Sequence, residues 1–123
     1  MTTAMKYLNN YLVNELDYKV QLGGEINYGD KDQVVRVTWL DENSLTAVSG
    51  DTYNATLRIE CYTKKTNIYD HIDMAKDVKD LFSHHLVLAN GDVIEQVGDI
   101  RTSFLDLDGA RKATIMIDIR KEV

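Results

Sequence analysis

The chain has 123 residues, 44% hydrophobic and 28% charged, which suits one globular domain spanning residues 1–123 with a core of its own. A formal net charge of −6 disfavours direct nucleic-acid binding, because an acidic chain gains no counterion-release energy from a phosphate backbone. No apolar run approaches the ~20 residues that span a bilayer. Cys61 is the only cysteine, so no internal disulfide forms and a soluble chain in a reducing, intracellular compartment is expected.

The N-terminus, Met1-Thr2-Thr3-Ala4-Met5-Lys6, lacks the charged-then-apolar order of a secretory signal. Met5, Leu8, Leu12 and Leu16 recur at spacings of three and four and predict a helix capped by Thr2 or Thr3 and ending near Asp17. A short strand over 18–22 closes at Gly23-Gly24, and a polar stretch follows from 25 to 33. Residues 34–40 alternate, with Val35, Val37 and Trp39 on one face and Arg36 and Thr38 on the other, which predicts a strand. Residues 41–53 carry the turn signals Asn43-Ser44 and Ser49-Gly50-Asp51 and read as a long loop of the kind that is usually functional.

Residues 54–63 form the next strand, with Ala55, Leu57, Ile59 and Cys61 facing one way and Thr56, Arg58, Glu60 and Tyr62 the other. A second helix covers 67–83, with Ile68, Ile72, Ala75, Val78 and Leu81 or Phe82 as its buried stripe. Asp70, Asp73, Asp77 and Asp80 fill its opposite face together with Lys76 and Lys79. Asn90-Gly91 and Asp108-Gly109 each stand between apolar strand-like runs and predict two hairpins in the C-terminal third. The fold class is therefore α+β: a mostly antiparallel, twisted sheet with two helices on one face. The other face is expected to be half-wet or open to a neighbour.

Chemistry is scarce. His84 and His85 are adjacent at a helix end, where successive side chains diverge, and a cation there suits the helix dipole. Cys61 stays in phase with Leu57 and Ile59, as a buried cysteine acting as a small hydrophobe does. Asp106-Leu107-Asp108-Gly109 resembles part of a calcium loop, but Phe104 and Ile115 stand where oxygen ligands belong. The acidic helix face reads as solvated, with weak ion pairs. No catalytic residue, cofactor or metal site is read, and the chain is expected not to be an enzyme. An enzyme reading would need Cys61, His71 or His84 and the acidic helix to share one pocket. Surface for partners remains, and the candidate protein-interface residues are Tyr28, Asp30, Asp41, Glu42, Asn43, Asp51, Tyr53 and Tyr62.

The strand Tyr53-Asn54-Ala55-Thr56-Leu57-Arg58-Ile59-Glu60-Cys61-Tyr62-Thr63 is followed at once by the helix over 67–82, and the chain ends in a strand over 113–120. A short N-terminal helix precedes them. In length and element order the chain resembles the tail terminator proteins of long-tailed bacteriophages, also called minor capsid or tail completion proteins. The resemblance implies a homo-oligomeric ring, commonly a hexamer, that caps the tail tube and joins it to the head or neck. It also implies partners in the tube protein and a neck or head-completion protein, with DNA passing through the ring without specific binding. The site would be the virion tail, assembled in the bacterial host cytoplasm, with no membrane partner. An acidic lumen would repel the passing DNA. The alternatives are another phage neck or head-completion protein, or a small intracellular protein-binding module unrelated to virions.

Overall fold

Leucines at four-residue intervals share one face of a helix, and Leu8, Leu12 and Leu16 are buried along and just past α1, Thr2–Glu15. The computed structural model describes residues 2–45, 52–64, 68–89, 91 and 93–122, with side chains described over 6–40, 55–64, 68–89, 91 and 93–120. Strand β1, Lys19–Leu22, runs parallel to β2, Gln33–Leu45. The chain leaves β1 through Gly23 and Gly24, whose φ values of 63° and 77° are left-handed and strained for any other residue type.

Strand β2 pairs antiparallel with β3, Thr52–Lys64, from Gln33↔Thr63 to Leu45↔Thr52. This corrects the expected loop over 41–53: Asp41–Leu45 continue β2, and β3 begins at Thr52. The cause is a register shift, since Trp39 faces Leu57 while Asp41 faces Thr56, leaving Leu40 as the extra residue. A bulge of this kind breaks the period-2 pattern, so polar residues beyond it read as loop. Residues 46–51, including the candidate Asp51, lie outside the described residues.

Helix α2, Ile68–Phe82, buries His71, Met74, Ala75, Val78 and Phe82. The expected stripe is therefore rotated: Ala75, Val78 and Phe82 are in it, whereas Ile68 and Ile72 stay half-exposed. Strands β4, Leu86–Val87, and β5, Val93–Gln96, form the first expected hairpin, in which the Gly91 N–H donates to the Leu88 carbonyl at 2.9 Å. Strands β6, Arg101–Leu107, and β7, Ala110–Glu122, form the second, turning at Gly109 with φ 77°.

The described residues make one seven-stranded sheet ordered β1-β2-β3-β7-β5-β4, with β6 also on β7. Strand β3 occupies one side of β7 throughout, so β5 and β6 share the other, at Ile119–Glu122 and Ala110–Met116 respectively. Every pair is antiparallel except β1 with β2. Alternate residues Ala55, Leu57, Ile59 and Cys61 of β3 and Ala113, Ile115, Ile117 and Ile119 of β7 join the buried leucines of α1 and the stripe of α2 in a single core cluster. Burying each large aliphatic side chain there stabilises the fold by roughly 1.5–3 kcal/mol.

Candidate functional site

The second face of the sheet is not simply wet. Val34, Glu60 and Tyr62 are buried on it, Glu60 to 2% exposure. Register builds the cluster around Glu60: Arg36 of β2 stands directly opposite Glu60, and Lys112 of β7 directly opposite Tyr62, two residues further along β3. Arg36 Nε and Nη2 lie 2.9 and 2.7 Å from Glu60 Oε1. Lys112 Nζ lies 2.9 Å from Oε2, and the Tyr62 hydroxyl donates to Oε2 at 3.0 Å. Arg58 Nε is 3.6 Å from Oε1, close enough for charge attraction but too long for a hydrogen bond. Arg36 and Lys112 also lie over the Tyr62 ring, at 5.5 and 5.7 Å from its centroid.

Burial alone would raise the Glu60 carboxyl, but hydrogen bonds from Lys112, Arg36 and Tyr62 outweigh it and hold the group below its ordinary value. The same bond to Glu60 raises Lys112. A carboxylate kept ionised, with its lone pairs taken up by three donors, is a poor proton acceptor, so the arrangement is a charged clamp and not a general base.

The clamp also fastens the polar stretch after β1. Arg36 Nη1 donates to the Gly24 carbonyl at 2.7 Å, and Gln21 Nε2 donates to the Gly23 and Glu25 carbonyls at 2.8 Å each. Lys64 sits 5.1 Å from the centroid of the Tyr28 ring. Burial, and then the neighbouring Tyr62, raise the Tyr28 phenol. The structure thus brings together two of the candidate interface residues, Tyr28 and Tyr62, with Asp30 exposed on the same stretch. Tyr62 is largely covered by the chain's own side chains. Asp41, Glu42, Asn43 and Tyr53 fall beyond the bulge, where Glu42 faces Ala55 and Ser44 faces Tyr53. Along one strand, Tyr53 and Tyr62 are ~30 Å apart, so the candidates form two groups and not one site.

Glu60, Arg36 and Lys112 were not among the candidates. Each stands at an outward phase in its strand, but only the pairing of β2, β3 and β7 shows that they meet. Of the residues singled out for an enzyme reading, His84 shares a groove with Asp77 and Asp80 of the acidic helix, whereas Cys61 and His71 do not line that groove. Burial pushes the Cys61 thiol up to about 12, which keeps it protonated and unreactive. His71 Nδ1 lies 2.7 Å from Thr63 Oγ1 and lines a groove between α2 and β6. His84 lines a different groove, of about 420 Å³, between the C-terminal ends of α1 and α2 with Glu15, Asp77 and Tyr18. There the Tyr18 hydroxyl donates to Asp77 Oδ2 at 2.7 Å. Among the described residues, no group of three or more His, Cys, Asp or Glu is placed to hold a metal ion.

No protein-family model matches the chain, and no curated protein matches it. Among solved structures of the same fold, one chain superposes with a TM-score of 0.69 at 12% sequence identity, over 99% of this chain and 92% of that one. A likeness at that identity shows the shared fold alone.

Proposed function

We propose that the chain is a non-enzymatic virion assembly protein, a tail terminator whose ring caps the tail tube and joins it to the head or neck. The observation that carries the reading is the element order: the long strand β3, then α2, then a C-terminal hairpin ending in the long strand β7. That is the order on which the resemblance to terminators rests. In this reading both helices cover one face of a twisted sheet, which the single core cluster shared by α1 and α2 supports. The other face and the sheet edges are then left for neighbours. A cyclic ring needs two different patches on each subunit, since its interface is heterologous. The clamped stretch around Tyr28 and Asp30 is one such patch. The exposed acids of α2 would repel DNA if turned toward the lumen.

Adding the purified chain to polymerising tail-tube protein tests this reading. Capped tubes stop growing, so light scattering should plateau lower as the chain is titrated in. Growth that is indifferent to the chain contradicts the proposal and leaves a protein-binding module unrelated to virions as the better reading.

A further inference from the structure

Strand β6 pairs with β7 on one side only, and no strand among the described residues pairs with its other side. Such an edge is a row of unmet backbone donors and acceptors, which sheets usually blunt with proline, lysine or a covering segment. The middle of β6, Thr102-Ser103-Phe104-Leu105, has neither proline nor lysine, and Ser103, Phe104 and Leu105 are exposed. Beside this edge lies the groove between β6 and α2, about 230 Å³, lined by Ile68, His71, Ile72, Phe104 and Leu105 among others. His71 is 2% exposed, and its ring meets Phe104 edge-on at 6.0 Å.

We propose that the β6 edge and this groove form one docking site for a short extended segment of a partner protein, which adds as a further strand and places an uncharged apolar side chain in the groove. Three observations select that occupant. The unpaired edge calls for extended backbone, because only a strand satisfies such a row of groups. The charges at the rim are already matched, Arg111 to Asp106 at 3.1 Å and Lys112 to Glu60 at 2.9 Å, so an added charge would find no partner. The area is small. Phe104, Leu105, Ile68 and Ile72 are 56, 58, 45 and 44% exposed, so at ~150–200 Å² per side chain they offer on the order of 350 Å². That is under half of the ~800 Å² that each partner gives to a stable protein pair. It suits a strand-length segment better than a second folded copy. The inference does not depend on the terminator reading.

The probe is a synthetic peptide of about seven residues alternating threonine with valine and leucine, titrated into the full ¹⁵N-labelled chain. A control peptide of the same sequence is N-methylated at every residue, which keeps its side chains and removes the N–H donors of both strand edges. Amide shifts should concentrate in 101–107 and around Ile68 and Ile72. The N-methylated peptide should bind at least tenfold more weakly. Phe104→Asp should lose binding by a similar factor while keeping the wild-type circular dichroism, and Ile72→Asp, also at an exposed position, serves if that variant does not fold. No shift at millimolar peptide, equal binding of the N-methylated control, or shifts centred elsewhere would each overturn the proposal. So would a doubled mass in native mass spectrometry that Phe104→Asp abolishes, since the occupant would then be a second copy.

Discussion

Replacing Glu60 by glutamine keeps the shape of the side chain and removes the charge on which the clamp closes. Arg36 and Lys112 then lie 2.7 and 2.9 Å from a neutral amide, with Arg58 close by. Removing one partner of a buried ion pair costs about 3–5 kcal/mol, because the remaining charge is left uncompensated. Here the cations keep 20 and 25% exposure and can turn partly to water, so the lower end, about 3 kcal/mol, is expected. In urea at pH 7, with a slope of ~1.5 kcal/mol/M for a domain of this size, the unfolding midpoint should fall by ~2 M. The pH dependence gives a second reading of the same experiment. Glu60 is held below its ordinary value in the fold, so its contribution is complete above the unfolded value of 4.5 and is lost as pH falls through the folded one. The gap between wild type and Glu60→Gln should therefore close below pH 4.5. A variant within about 0.5 kcal/mol of wild type at pH 7 would place the cluster with ordinary surface pairs and refute the clamp. A gap that stays constant down to low pH would refute it as well.

Other outcomes follow from the same structure. Cys61 should react with a thiol reagent at pH 8 at least a hundredfold more slowly in the folded chain than in urea, since burial raises its pKa and blocks access; equal rates would contradict its placement in the core. Gly109→Ala should destabilise by about 1–2 kcal/mol through left-handed backbone strain alone, because an added Cβ would meet nothing within 4 Å; an unchanged urea midpoint would show that the turn is not held at positive φ. Burial lowers His71 by more than a backbone hydrogen bond at Lys112 raises it, with Arg111 and Asp106 acting in opposite senses, so folding favours its neutral form. Stability is then whole above the unfolded value of 6.5 and declines as pH falls toward the folded value, and His71→Asn should remove that decline below pH 6.5 in chemical denaturation.

The sequence made legible the features that periodicity and turn chemistry encode locally. Leu8, Leu12 and Leu16 gave α1, alternation gave β3 and β7, and Asn90-Gly91 and Asp108-Gly109 marked both hairpins. Helix α2 is legible and Ala75, Val78 and Phe82 fall in its stripe, but Ile68 and Ile72 stand half-exposed while His71 and Met74 are buried. Ile68 and Ile72 fit a helical period as well as His71, Met74 and Ala75 do, and which arc turns inward depends on what packs against it. The loop read over 41–53 failed at one residue, Leu40, where a bulge resets the alternation. The Glu60 cluster was hidden for a different reason. Its members come from three strands whose register is a tertiary fact, and a lone Glu between Ile59 and Cys61 looks like any outward polar position.

The most direct test of the proposed function is electron microscopy of tail tubes assembled with and without the chain. The account predicts a ring at one tube end, made of several copies, and tubes of fixed length when the chain is present. Bare ends, unregulated lengths and a chain that stays monomeric beside the tubes would contradict it.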